Sequence, residues 1–159
     1  MAALSSETIH ANAVAIDGKG VLIIGQSGTG KSDLSLRLID RGAELVSDDH
    51  CHITRRDGAI FASAPERLRG KMELRGVGIC PVPYVAEAPL AMIVRLSTSY
   101  ERFPMDHAEE TIVGVALPVI RINAYEASAP IKIEWALRQK LAEATAQTPP
   151  PEKRGFASL

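Results

Sequence analysis

The sequence predicts a single α/β domain. Three observations predict it. An apolar strand runs into a glycine-rich turn, Gly25 to Ser32, and an amphipathic segment leaves it. Aliphatic runs joined by Asp-Gly turns read as β-hairpins on both sides of that turn. Near the C-terminus, "APIKIEWALRQKLAEA" carries helical spacing. At 159 residues the chain is the size of one domain. Its 46% apolar content supports one sizeable core, and with only 4% aromatic residues that core must be aliphatic.

The elements follow in order. "ANAVAI" and "VLIIG" are separated by "DGKG" and form the first hairpin. From Ser32 to Arg41, the residues Leu34, Leu36, Leu38 and Ile39 fall on overlapping i+3 and i+4 spacings, so a short helix is expected. Gly42 is placed to end it. "AELVS" returns as a strand. "HCHITRRDGAIFAS" is a second hairpin, turning at Arg56-Asp57-Gly58. "KMELRGVGICPVPYV" reads as a strand that ends in a glycine- and proline-rich region, and "LAMIVRLS" as a buried strand. "TSYERFPMDHAEET" is polar and expected on the surface as a loop. "VALPVIRINA" is a strand with Pro118 near its start or on an edge. In the last helix Ile133, Ala136, Leu137 and Leu141 share a face. The domain is expected to span residues 1–147. From Thr148 on, three consecutive prolines and little apolar content predict a disordered tail, 148–159.

Composition narrows the function classes. A net charge of −1 gives no electrostatic case for nucleic acid or an anionic membrane. No run approaches the roughly 20 apolar residues of a membrane span, and the first residues lack the pattern of a signal peptide. Cys51 and Cys80 read as free, small buried thiols, which fits a reducing cytoplasm.

The chemistry is concentrated in Gly25-Gln26-Ser27-Gly28-Thr29-Gly30-Lys31-Ser32, a full match to G-x-x-x-x-G-K-[ST] between a strand and a helix. The glycines let the backbone curl so that N–H groups face phosphate oxygens, and the helix adds its N-terminal partial charge. Lys31 is expected to reach the β- and γ-phosphates, and the Ser32 hydroxyl to ligate Mg²⁺. A plain glycine turn ahead of a helix is the competing reading, and the complete motif in this context disfavours it.

Asp48 and Asp49 follow the next strand. The carboxyl end of such a strand opens beside the glycine loop. Adjacent strand residues point to opposite faces, so one carboxylate is expected to serve the metal and the other to face an acceptor hydroxyl and take its proton. An Asx turn is the structural alternative. Glu73 and Arg75 are two apart and share a face if they lie on a strand. A surface ion pair would explain them, but the glycines that follow favour a loop over the phosphates. His50, His52 and His107 are expected in solvated or strand-facing roles, Trp135 in the core or a subunit contact, and Arg55-Arg56 on the solvated shoulder of a turn.

Three segments in this order resemble the bacterial HPr kinase/phosphorylase family: "GQSGTGKS", "RGAELVSDD", and Glu73-Leu74-Arg75-Gly76-Val77-Gly78-Ile79. The resemblance runs from about His10 to Val119. It implies a P-loop kinase domain with a mixed sheet, similar to the nucleotide-binding part of phosphoenolpyruvate carboxykinase. The two hairpins agree, because a purely parallel sheet needs crossovers.

The resemblance further implies an ATP- and Mg²⁺-dependent enzyme that phosphorylates a serine of the phosphocarrier protein HPr. It would remove that phosphate by phosphorolysis with inorganic phosphate, typically as a homohexamer. By resemblance Asp48 is the proton acceptor and Asp49 belongs to the metal site with Ser32 and Glu73. Arg75 is the signature arginine, and His10 lies near the active site. Arg102, in "YERF", belongs to a loop that captures HPr. The family's long forms carry an N-terminal domain ahead of the kinase domain, and with the glycine loop beginning at residue 25 the chain is expected to resemble the short, single-domain forms; Glu126-Ala127-Ser128-Ala129-Pro130 stands in place of the family's "PGRNLA" segment. A small-molecule kinase with a similar loop, and a nucleotide-dependent regulatory module without turnover, are the alternative readings.

Overall fold

The computed structural model describes residues 5–99 and 108–147. Arg102, His107 and the tail from Thr148 lie outside them. In chain order the elements are β1 (Ser6–His10), β2 (Asn12–Ile16), β3 (Lys19–Ile24), α1 (Lys31–Asp40), β4 (Glu44–Ser47), β5 (His50–Arg56) and β6 (Ala59–Ser63). After a 3-10 turn, Glu66–Leu68, come β7 (Lys71–Leu74), β8 (Gly78–Pro81), β9 (Glu87–Leu96), β10 (Glu109–Ile112), β11 (Val115–Ile122) and α2 (Ala129–Gln147).

Nine strands form one mixed sheet whose main order is β1-β5-β6-β9-β3-β2-β4. β3 and β11 run parallel to β9, and the other ladders are antiparallel. β9 takes β6 as a neighbour over its first half and β11 over its second. β10 pairs with the first half of β11. Pro118 therefore sits opposite Glu109 only, before β11 joins β9, so its missing N–H breaks no ladder on the β9 side.

Three hairpins close in the same way. Asp17-Gly18, Asp57-Gly58 and Val113-Gly114 are two-residue turns with φ near +50° and +80°. Both central residues are left-handed, as a type I′ turn requires, and this turn matches the twist of the flanking strands. The first two are the Asp-Gly turns expected from sequence. The third was not expected: Glu109 to Thr111, the end of the expected surface loop, belong to the strand Glu109–Ile112, hidden because a valine occupies the left-handed position.

Two further differences concern strands. "KMELRGVGICP" is not one strand but a separate hairpin, β7–β8, with Arg75-Gly76-Val77 at its tip. β1, mostly exposed and polar, pairs along β5 and has no apolar signature.

The sheet buries both faces. On one, Val14, Val21, Ile23, Met92 and Val94 pack under Leu34 and Leu38 of α1 and Ile133 and Leu137 of α2. On the other, the sheet curls over itself. Ala11, Ala13, Ala15, Ala62 and Ala88 are buried there with Leu22, Ile53, Ile60 and Ile93. Alanines let the two curled halves approach closely. Along β3 the alternation Val21, Leu22, Ile23 sends side chains to the two cores in turn.

α1 ends as expected. Gly42 has φ 110°, and the N–H groups of Gly42 and Ala43 donate to the carbonyls of Ile39 and Leu38 at 2.9 and 3.0 Å. Arg37 donates to the carbonyls of Ala124 and Glu126, and Arg41 pairs with Glu134 of α2 at 2.7 Å. Trp135 is 63% exposed rather than in the core, with the Arg138 guanidinium 4.8 Å from its ring. It lies two residues from both Ile133 and Leu137, so it faces away from them.

Arg55 and Arg56 are not merely solvated. Arg55 donates to the Val113 carbonyl at 3.0 Å, while Arg56 makes a bidentate pair with Glu87 at 2.8 Å and covers Phe61. Cys51 is buried, which pushes its thiol up to about 12, whereas Cys80 is part-exposed.

Two outcomes follow from this packing. Ile133→Ala removes a fully buried side chain that joins α2 to the sheet. It is expected to lower stability by about 2–5 kcal/mol in urea unfolding. Hydrogen bonding to Arg95 holds the Glu110 carboxyl below its usual range, and Arg56 does the same for Glu87. A carboxyl with a lower pKa folded than unfolded adds stability above the unfolded value, about 4.3, and loses it as pH falls through the folded value. Melting temperature should therefore drop on acidification below about pH 5. The drop should be shallower in a Glu87→Gln/Glu110→Gln double variant; parallel curves would place the acid sensitivity elsewhere.

Candidate active site

The phosphate loop leaves β3 and enters α1 directly. Gly28 and Gly30 have φ 83° and 96°, values that residues with side chains rarely adopt, and they turn the loop back on itself. Thr29 N–H donates to the Gln26 carbonyl at 3.1 Å. The Lys31 ammonium is buried against the loop and donates to the Gly25 carbonyl at 2.8 Å and the Gln26 carbonyl at 3.4 Å. From the far side the Tyr125 hydroxyl donates to the Gly28 carbonyl at 2.6 Å. Gly25, Gln26 and Thr29 thus shape the loop, while Ser27, Gly28, Gly30, Lys31 and Ser32 line the cavity it borders.

That cavity holds about 590 Å³, within the range of small-molecule sites. Asp48 and Asp49 enter it from the end of β4, and Glu73 and Arg75 from the β7–β8 hairpin. The sequence-derived residues therefore meet, with two exceptions. His10 stands one bond behind Asp49, its Nε2 2.5 Å from Oδ1. Arg102 lies outside the described residues.

The two aspartates diverge, though not by strand alternation. Asp49 has left the strand, with φ 72°. Asp48 Oδ1 accepts the Ser32 hydroxyl at 2.8 Å and the Asn12 amide at 2.9 Å, and Oδ2 accepts the Glu73 N–H at 3.3 Å. Asp49 turns to His10 and, at 3.5 Å, to His50. The His10 and His50 rings are 5.7 Å apart, and the His50 side chain is exposed, as expected from sequence. His52 Nδ1 is bonded to the Thr8 hydroxyl at 2.7 Å, away from the cavity.

The donor set suits a hard cation. Ser32, Asp48, Asp49 and Glu73 offer only oxygen around the cavity. Among the described residues no three metal-binding side chains cluster tightly enough to hold an ion unaided. No helix of the described residues is long and apolar enough to cross a membrane.

Sequence reasoning missed Asn12 and Tyr125. Asn12 left one signal, a lone amide in the aliphatic run "ANAVAI". Tyr125 left none, because only the fold carries it to the phosphate loop.

Residues 2–149 match the family model described as the HPr Serine kinase C-terminal domain. An HPr kinase/phosphorylase of Clostridium botulinum is 32% identical over 132 residues, 75% of this chain and 43% of the relative. One from Brevibacillus brevis is 36% identical over 128 residues, 72% of this chain and 41% of the relative. The chain thus spans about two fifths of the length of these curated relatives. The solved HPr(Ser) kinase/phosphatase of Coxiella burnetii superposes with a TM-score of 0.76 at 31% identity, covering 87% of this chain and 99% of that one. Its likeness agrees with the mixed α/β P-loop kinase fold described above. With a family match over nearly all its length, the chain belongs to the HPr serine kinase C-terminal domain family.

Proposed function

We propose that this chain is a cytoplasmic kinase/phosphorylase that moves a phosphoryl group between ATP and a serine of HPr or an HPr-like phosphocarrier protein, acting as a homo-oligomer. Inorganic phosphate is the co-substrate of the reverse reaction. The observation that carries the reading is the place of Asp48. Its carboxylate sits at the cavity wall between the Ser32 hydroxyl and the β7–β8 hairpin, which supports its reading as the base beside the acceptor hydroxyl.

In the forward direction Asp48 takes the proton of the serine hydroxyl. The serine oxygen bonds to the γ-phosphorus as the bond to the ADP oxygen breaks. Lys31 and the loop N–H groups hold charge as it spreads over the phosphoryl oxygens. In reverse, a phosphate oxygen attacks the phosphoserine phosphorus, the serine oxygen leaves, and Asp48 returns the proton; the products are serine and pyrophosphate. Ser32, Glu73 and Asp49 are the residues that would hold Mg²⁺, which supplies charge neutralisation at the phosphates. Arg75, at the hairpin tip over the cavity, adds a cation on the acceptor side. His10 orients Asp49 through their short bond. Arg102 is assigned to acceptor capture.

Incubation with HPr, ATP and Mg²⁺, read by acceptor mass, should show one added phosphoryl group, and phosphate should remove it with release of pyrophosphate. ATP binding without any transfer would overturn the proposal, and transfer to small metabolites in place of HPr would point to a metabolite kinase. Asp48→Asn is expected to cut transfer by about 100-fold or more while ATP still binds. Lys31→Met should instead weaken ATP binding by about 10- to 100-fold, as loss of a charge-assisted hydrogen bond predicts, read by calorimetry.

A further inference from the structure

Asn12 is a polar side chain with no exposure at all, set between Ala11 and Ala13 in a strand of aliphatic residues. Burying an amide there is unfavourable unless its hydrogen bonds are made. All of them are. Nδ2 donates to Asp48 Oδ1 at 2.9 Å and to the Ser35 hydroxyl at 3.1 Å, and Oδ1 accepts the Asp49 N–H at 3.1 Å. Partner chemistry fixes which way the amide points. A carboxylate can only accept and a backbone N–H can only donate, so the reversed amide would face two mismatches. Ser35 passes its own proton to the Lys31 carbonyl at 2.8 Å, which ties the network to the helix turn that carries Lys31 and Ser32.

The core has no need of an amide here; a valine would fill the space with nothing to satisfy. What Asn12 does is hold both members of the acid pair, one by its carboxylate and one by its backbone. Asp48 Oδ1 has two donors, Asn12 and Ser32.

We propose that Asn12 is a positioning residue: it fixes the Asp48 carboxylate and the left-handed turn at Asp49, and so sets the geometry of phosphoryl transfer without touching substrate. This rests on the reading of Asp48 as the proton acceptor. The test compares wild type, Asn12→Val, Asp48→Asn and the double variant. With Asn12→Val, kcat for transfer to HPr is expected to fall about 10- to 100-fold, the range for a hydrogen bond to a charged group, with KM for ATP changed by less than about threefold. The double variant should be no slower than Asp48→Asn alone, because Asn12 acts through Asp48. Unchanged kcat, or losses that multiply, would overturn the proposal.

A second readout needs no turnover. In nucleotide-free protein, hydrogen exchange at the Asp49 amide should accelerate in Asn12→Val while Val14, Val21 and Leu45 keep wild-type rates; an unaltered Asp49 amide would overturn the proposal. If the valine variant loses protection throughout, Asn12→Ser, too short to reach Asp48, takes its place with the same expectations. Failure of the wild type to transfer phosphate, with Asp49 exchange still dependent on Asn12, would overturn the role of Asp48 and leave the placement of the acid pair by Asn12 standing.

Discussion

The Asp48 carboxylate is the junction on which the site depends. It accepts hydrogen bonds from β2 through Asn12, from α1 through Ser32 and from β7 through the Glu73 N–H. Asn12 also joins β2 to α1 through the Ser35 hydroxyl, and the Asp48 carboxylate adds β7 to that pair at the cavity. Bonds to an ionised acceptor are about twice as strong as neutral ones. One carboxylate therefore sets the distance between the phosphate loop and the hairpin above it.

Topology explains why those segments meet. β3 runs parallel to β9, and β2 runs antiparallel to both β3 and β4. The carboxyl ends of β3, β4 and β9 therefore open on one edge of the sheet, and β2 begins there. That edge receives the phosphate loop from β3, the acid pair from β4, and Asn12 at the start of β2. β11, parallel to β9, delivers Ala124 and Tyr125 to the same edge. The curl of the sheet buries the opposite face with alanines, so helices are needed on one side only. The phosphate loop enters the helix on that side.

Legibility in the sequence followed how local each feature is. The phosphate loop, α1 and the Asp-Gly hairpins were readable because turn chemistry and spacing are written within a few residues. Val113-Gly114 makes the same turn and was not readable, since a β-branched residue is disfavoured at positive φ. β1 was hidden by its polar, exposed sequence, and β7–β8 by glycines that resemble a strand ending. The two aspartates were legible as a pair. Their divergence was not, because it comes from the left-handed backbone at Asp49 rather than from strand alternation. Asn12 could not be assigned from spacing, as its partners lie 23 to 37 residues away. Of the two roles expected for Trp135, its angular position on α2 excludes the core and leaves the subunit contact open.

The phosphate loop, the acid pair and Asn12 lie in one unbroken stretch of chain, Asn12 to Asp49, that contains β2, β3, α1 and β4. The hairpin over the cavity and the segment after β9 come from later in the sequence. The cavity is thus walled by two separate parts of the chain, so a change in the hairpin can reshape its mouth and leave the sequence of the loop beneath it untouched.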